Sequence, residues 1–451
     1  MFPITLTQME KIVGGTILRG NTTTRITSVG YMDSRRMGCG KAFIIGMKNC
    51  EHFDINNITK ACSVVIATEK WKDKVSSRSA FIEIASPRDA LWAITAWQRS
   101  KTKAEVIGIT GSAGKTTTKE MIASVLSEKY RTIKSIGNYN MPGSMPMTIL
   151  RINRLTEAVV LEMGTVYLGF IKRQCDYAKP SIGVITNVAE AHAGTLGDSL
   201  ESVVQAKQEM VDGIGYEGTL IINADDPGTK KLDFGSFKGN LVTFGIKNDA
   251  DIMASGVSYT KSGMKFIVDG YEFSINSHGE HNVYNALAAI SVGKISSIPN
   301  DNLKAALLGY RSPNMRQQIS VGKFTIINDT FNANPLSMKA GLKVLNDRHK
   351  GNYTVAVLGN IAQLGSYSEE GHRSVGEYIS TTRIKEVTTL GEDARYIGEE
   401  ATSKGYGGKV KHFSTNEEVV KHINSSIPKG AVLYFKASRV MKLEDVIKGI
   451  N

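Results

Sequence analysis

Short apolar runs alternate with amphipathic stretches of helical period along most of this chain. Residues 5–13 put apolar side chains on one helical face, and Gly14 and Gly15 end the pattern. Runs at 63–67, 80–84, 105–109, 158–163, 183–186 and 219–223 have strand length. Helical periodicity occupies 199–211 and 282–292. The stretch 240–275 is strand-rich, with turns at Lys261-Ser262-Gly263 and Asp269-Gly270. Beyond 313 the alternation resumes, with strands at 324–327, 353–358, 387–390 and 432–435 and helices near 337–346, 372–379 and 416–423. Such alternation predicts an α/β protein with parallel, doubly wound sheets and ligands at the carboxyl ends of the strands. Three domains are expected: a small mixed α/β domain over 1–103, a parallel-sheet domain over 104–312 and a Rossmann-like domain over 313–451. Arg311-Ser312-Pro313-Asn314 reads as the linker between the last two.

One strand-to-helix junction carries chemistry. EVIGITGSAGKTTTKEM (105–121) enters a glycine turn and leaves as a helix. Thr110, Gly111, Ser112, Ala113 and Gly114, followed by Lys115, Thr116 and Thr117, make a phosphate cradle. Turn amides and the helix N-terminus face the anion, the lysine bridges phosphates, and a threonine hydroxyl reaches Mg²⁺. The strict pattern G-x-x-x-x-G-K-[ST] fails at Ile109, where the first glycine would stand. A plain tight turn has no reason to place Lys-Thr-Thr at a helix start, so ATP is the expected ligand and the central domain is expected to be P-loop ATPase-like.

Composition narrows the class. A chain of 451 residues with ordinary apolar content can bury several cores. No apolar run approaches the roughly 18 residues that span a membrane, and the first residues lack the shape of a signal peptide. The four cysteines have no C-x-x-C spacing, which suggests neither zinc nor a disulfide framework and fits a reducing cytoplasm. The net charge of +12 is scattered, without a dense basic run or interleaved aromatics. It fits solvated faces or a polyanionic small molecule better than nucleic acid.

Other polar positions sit where sites are built. Glu162 closes an apolar strand, a place suited to a Mg²⁺ ligand or to a solvated strand end. His192, in TNVAEAHAG, follows another strand and is a metal or phosphate contact or a turn histidine. Lys207, in SVVQAKQEM, reads locally as a solvated helix lysine. His281, Asn282 and Asn285 stand at a helix start, where an asparagine reads adenine or caps the helix. Asp329, Asn332 and Asn334 in INDTFNANPLSM suit ribose or peptide recognition, or an Asx turn.

Taken in order, TGSAGKTTT, LEMGT, TNVAEAHAGTLGDSLESVVQAKQEM, NADDP, HNVYNALAA, NMRQ, INDTFNANPLSM, VLGNIAQLG and KASRVM resemble the Mur ligases over nearly the whole chain. LTQMEKIVGGTI and the MDSRR segment resemble that family's N-terminal domain. The resemblance implies an ATP- and Mg²⁺-dependent amide ligase acting through an acyl phosphate, cytoplasmic and monomeric. Its implied substrates are a UDP-muramoyl tripeptide and D-alanyl-D-alanine, in cell-wall precursor synthesis. It implies that Lys115 holds the β- and γ-phosphates, and that Thr116, Glu162 and His192 serve the metal. Lys207 would be carbamoylated, which reverses its local reading. Asn282 would contact adenine, and Arg316 and Asp329 would reach the nucleotide from the C-terminal domain. Asp33, Ser34 and Arg35, with Asn138 and Asn140 in NYNMPGSMP, would lie toward the nucleotide sugar. Asn332, Asn334 and Ser337 would line the site of the incoming amine.

The chain departs from the family pattern away from the phosphate chemistry. Met141 and Pro142 replace an asparagine and an acid, Asn360 and Gln363 replace acids, Asn328 precedes Asp329 in place of a second aspartate, and Ala437 replaces a glycine. The N-terminal Asp-Gly-His-Asp-Phe motif is reduced to NCEHFD. These changes fit lineage drift, or a paralogue that joins another acid and amine. A P-loop regulatory ATPase would need a macromolecular stimulus. A dead binding protein would not need Lys115, Thr116 and Glu162.

Overall fold

The computed structural model describes residues 1–31, 40–46, 55–137, 143–189, 196 and 199–450. Asp33, Ser34, Arg35, Asn138, Asn140, Met141, Pro142 and His192 lie outside the described residues. The chain divides into two compact units. The first holds Met1–Ile107, Tyr130–Met163 and Arg173–Pro180, and the second holds Gly108–Lys129, Gly164–Lys172 and Ser181–Asn451.

The first unit opens with the helix Leu6–Val13. Thr5 accepts from the Gln8 amide at its start, and Gly14 ends it at φ 60°, the left-handed turn that a glycine enters without strain. A five-stranded sheet follows in the order Thr16–Arg19, Ala80–Glu83, Val64–Ala67, Lys41–Ile44, Ser28–Gly30. Its first pairing is antiparallel and the rest are parallel. The helix Pro87–Ser100 buries Leu91 and Ile94 in the same core as Leu6, Ile44 and Ile66. Strands Thr132–Lys134 and Ala158–Glu162 pair in parallel in this unit.

In the second unit, Ile182–Ile185, Thr219–Asn223, Asn240–Gly245 and Ile252–Met253 run parallel in that order. Thr186 donates to the Thr110 carbonyl at 3.0 Å, which joins the phosphate loop to this set. Ser255–Tyr259, Met264–Val268 and Tyr271–Ile275 form a small antiparallel sheet. A six-stranded sheet completes the unit, in the order Gln318–Val321, Thr325–Asn328, Val432–Lys436, Thr354–Gly359, Glu386–Leu390, Lys409–Phe413. Only its first pairing is antiparallel. One face packs Met338, Leu342 and Val375, and the other packs Val419, Ile423 and Val446.

The α/β expectation holds, with more antiparallel pairing than strand–helix alternation implied. The antiparallel strands come from hairpins and edges, which need no crossover helix. Among the described residues no helix is long and apolar enough to cross a membrane.

Candidate phosphate and nucleotide site

The strand Glu105–Thr110 delivers the loop, and the helix Lys115–Ser127 leaves it. Gly111 has φ 143° and Gly114 has φ 83°. Both also lack room for a side chain. A Cβ on Gly111 would overlap the Thr186 hydroxyl, and one on Gly114 would come within 2.6 Å of Asn285 Oδ1. Gly114 therefore starts the helix with no side-chain cap, leaving its first-turn amides to an anion.

The turn is braced from behind. Ser112 N donates to the Asn187 carbonyl at 3.1 Å, and Ala113 N donates to Asn187 Oδ1 at 2.8 Å. Thr186 Oγ1 and Asn187 Nδ2 both donate to the Ala113 carbonyl. Ser112 Oγ exchanges hydrogen bonds with the Ala189 backbone. The Lys115 ammonium donates to the Gly111 and Ser112 carbonyls, so its charge sits over the loop.

Segments beyond residue 313 also end on this loop. Arg316 Nη2 donates to Thr116 Oγ1 at 3.0 Å, and its guanidinium lies 4.4 Å from the Phe331 ring centroid. Asn334 Nδ2 donates to the Ser112 carbonyl at 3.2 Å. Asn334 is also the N-cap of the helix Pro335–Arg348, its Oδ1 accepting from Ser337 N at 2.7 Å. The Asx role read from the sequence is present, and the carboxamide does double duty.

A cavity of about 390 Å³ adjoins the loop within the second unit. Of the expected residues, Ala113, Gly114, Thr117, Asn282, Arg316, Asp329 and Ser337 line it. Asn332 is tied instead through its carbonyl, which accepts from Lys436 Nζ at 3.0 Å. Asp329 Oδ2 accepts from Lys436 Nζ at 2.7 Å and from Tyr434 OH at 3.0 Å. Asn282 does not cap its helix. Gly279 does, at φ 97°, and the Asn282 carboxamide bonds the His278 carbonyl, His281 and Asn285.

Lys207 corrects its local reading. It is 3% exposed, on the face of Leu200–Gly213 that also buries Val203, Ala206 and Met210. Its ammonium donates to Thr165 Oγ1. Burial, then the nearby charge of Lys115, hold its pKa well below the usual lysine range. The i, i+3, i+4, i+7 spacing of 203, 206, 207 and 210 was the signal that it faces inward. Glu162 is 2% exposed in the first unit, and its amide donates to Ser135 Oγ at 3.1 Å. Its solvated alternative falls with that burial. Among the described residues no group of three or more His, Cys, Asp or Glu is placed to hold a metal. The expected metal set joins Glu162 to a threonine, a modified lysine and His192, the last outside the described residues.

Sequence reasoning passed over Thr186, Asn187, Gln317, Tyr434 and Lys436. Thr186 and Asn187 follow an apolar strand, the usual ligand-facing position, and could have been found there. Lys436 opens KASRVM and Gln317 closes NMRQ, two of the segments that resemble the family, but neither is marked by its neighbours as facing a cavity. The departures from the family pattern also have places. Asn360 Oδ1 accepts from Ala394 N at 2.8 Å, and Ala437 is buried opposite Gly359, which lacks the Cβ that would crowd it.

Glycine-cradled helix start, basic lysine and adjoining cavity together define an α/β protein built to hold a nucleotide polyphosphate. Residues 109–293 match the Mur ligase middle domain, and residues 315–439 match the Mur ligase glutamate ligase domain. The UDP-N-acetylmuramoyl-tripeptide–D-alanyl-D-alanine ligase of Bacillus subtilis (strain 168) is 32% identical over 458 residues, covering 100% of this chain and 99% of that one. The chain belongs to the Mur ligase family. The crystal structure of MurF from Acinetobacter baumannii superposes with a TM-score of 0.87 at 26% identity, covering 99% of this chain and 98% of that chain. MurF from Thermotoga maritima, solved in complex with ADP, shares the fold with a TM-score of 0.81 at 24% identity, covering 94% of this chain and 97% of that one.

Proposed function

We propose that this protein is an ATP-dependent ligase that joins D-alanyl-D-alanine to UDP-N-acetylmuramoyl-tripeptide, releasing ADP and phosphate. The observation that carries the reading is the braced phosphate loop with Arg316 and Asn334 ending on it, in a chain similar over its full length to enzymes of that name. Domain boundaries near 103/104 and 312/313, a cytoplasmic location and a monomeric state belong to the same reading.

A carboxylate resists amines because its carbonyl is resonance-stabilised and its leaving group is poor. Transfer of the γ-phosphoryl of ATP makes an acyl phosphate, which the amine of the dipeptide attacks with loss of phosphate. The loop and the N-terminus of Lys115–Ser127 hold the phosphates, and Lys115 places a cation against the transferring group. Arg316 holds the Thr116 hydroxyl and adds positive charge at the same point. Asp329 and Asn282 face the nucleotide from the cavity wall. Ser337, with Asn332 and Asn334 behind it, faces the incoming amine. Asp33, Ser34, Arg35, Asn138 and Asn140 are assigned to the nucleotide sugar.

Thr116, Glu162, His192 and a carbamoylated Lys207 are the residues that would hold Mg²⁺, which supplies charge neutralisation when bound. The donor chemistry fits, since a hydroxyl, carboxylate oxygens and a carbamate suit a hard cation. Lys207 suits carbamoylation because a depressed pKa keeps its amine neutral and nucleophilic toward CO₂.

Phosphate release and product mass with ATP, UDP-N-acetylmuramoyl-tripeptide and D-alanyl-D-alanine test the reading. A pentapeptide mass is expected. Folded, ATP-binding protein that gives no product would reject this substrate pair and favour another acid and amine.

A further inference from the structure

We infer that Thr165 orients the Lys207 carbamate and that Glu209 positions Thr165 to do so. This rests on the reading of Lys207 as carbamoylated. The Lys207 nitrogen donates to Thr165 Oγ1, and the lysine is 3% exposed. Addition of CO₂ to the neutral amine forms one N–C bond and releases one proton, which leaves Nζ a single N–H. That N–H can keep the bond to Thr165 Oγ1. Resonance makes a carbamate planar, as it does an amide, so holding its N–H fixes the direction of both oxygens.

What holds Thr165 in place comes from the same helix as Lys207. Thr165 belongs to the segment Gly164–Lys172 of the second unit, which runs into the first turn of the helix Phe170–Ala178. Gly169, just before that helix, has φ 86° and no side chain with which to cap it. Glu209, 40 residues away, supplies the cap. Its Oε1 accepts from Gly169 N, and its Oε2 accepts from Lys172 N at 3.0 Å. A carboxylate there meets amides that the helix cannot satisfy itself, and the positive end of the helix dipole.

Lys207 and Glu209 stand two residues apart on Leu200–Gly213 and leave it on different sides. The segment Gly164–Lys172 meets both, Lys207 through Thr165 and Glu209 through Gly169 and Lys172. Thr165 is thereby fixed relative to Lys207 by a carboxylate on the lysine's own helix. Loss of the cap frees Gly169, and with it the short run of chain that leads back to Thr165. The phosphate loop is braced separately, through Thr186 and Asn187, so ATP binding without Mg²⁺ is an internal control.

Labelling of the full chain with limiting ¹³C-bicarbonate, read as the carbamate ¹³C signal, tests this beside kcat. Thr165→Val keeps the shape but removes the acceptor, and is expected to lose label and to lower kcat about 10- to 100-fold. Thr165→Ser keeps the hydroxyl and is expected to stay within about threefold of wild type in both. Glu209→Gln keeps one acceptor but turns an NH₂ toward the other amide, and is expected to act as Thr165→Val does. Added to Thr165→Val it should cost less than about threefold more, since both act through one contact. Thermal unfolding identifies any variant that does not fold. Wild-type label and kcat in folded Thr165→Val would overturn the assignment, as would full loss in Thr165→Ser or additive losses in the double variant. Unlabelled wild type would remove the carbamate reading itself and this role with it, a distinct outcome.

Discussion

Lys436→Met tests the least exposed charge in the cavity wall. Lys436 is 4% exposed and its ammonium lies 2.7 Å from Asp329 Oδ2, with a second bond to the Asn332 carbonyl. At that distance and an effective dielectric near 20, the attraction is about 6 kcal/mol before the desolvation of both ions is subtracted. Removing the cation alone leaves the Asp329 carboxylate with Tyr434 OH as its remaining side-chain donor, and a broken buried pair typically costs about 3–5 kcal/mol. For the second unit that is a fall in Tm of roughly 5–8 °C. Calorimetric unfolding without nucleotide isolates this effect from any loss of binding. The double variant with Asp329→Asn removes the stranded charge and still lets Tyr434 donate to a carboxamide. It should recover at least about 2 kcal/mol relative to Lys436→Met alone. A single-variant loss below about 1 kcal/mol, or strictly additive effects, would refute the account.

Further outcomes follow from the same contacts. Arg316→Ala loses the charge-assisted bond to Thr116 and the stacking on Phe331, and should lower kcat/KM for ATP by about 10- to 100-fold; a change under threefold would remove Arg316 from the site. Lys207→Ala should abolish turnover and regain part of it with added short carboxylates, and ¹³C-bicarbonate should label wild type but not the variant; no label and no rescue would sink the carbamate. Burial lowers His281 from about 6.5 in the unfolded chain to about 4, so the unfolded state binds the extra proton and stability falls as pH drops from 6.5 through 4. Its share is on the order of 3 kcal/mol, and denaturant titrations of His281→Gln should show a shallower acid loss than wild type; parallel curves would contradict it.

How far the sequence could be read depended on how local each cause was. The phosphate loop was legible because its glycines, lysine and threonines act within a few residues of one another. The helix Leu6–Val13 was legible because Thr5 and Gly14 carry its boundaries. The strands Gln318–Val321 and Lys409–Phe413 were not foreseen. The first is exposed throughout and the second nearly so, which removes the apolar alternation that marks a half-buried strand. The inward place of Lys207 shows in its helical position beside Val203, Ala206 and Met210 and in the family resemblance, not in its residue type. Asn334 was split between an Asx turn and ligand recognition because the sequence cannot say that Ser112, 222 residues away, lies within reach.

That long-range reach also says how the two ends of the site are linked. The loop's own hydrogen bonds hold Ser112 and Ala113 from behind through Asn187, so the turn does not rely on the C-terminal segments for its shape. Arg316 and Asn334 come instead to the Thr116 hydroxyl and the Ser112 carbonyl, atoms next to the phosphates on the proposed reading. Both come from polar loops, and Asn334 at the same time starts the helix that carries Ser337 into the cavity wall. A shift of Ser112 is therefore felt at the N-cap of that helix, without passing through a hydrophobic core. Substituting Asn334 by a residue that still caps but cannot donate, such as aspartate, would keep the helix start while setting a carboxylate against the Ser112 carbonyl. If the link matters, Asn334→Asp should weaken dipeptide use by more than it changes thermal stability. Equal losses in both would reduce Asn334 to a cap.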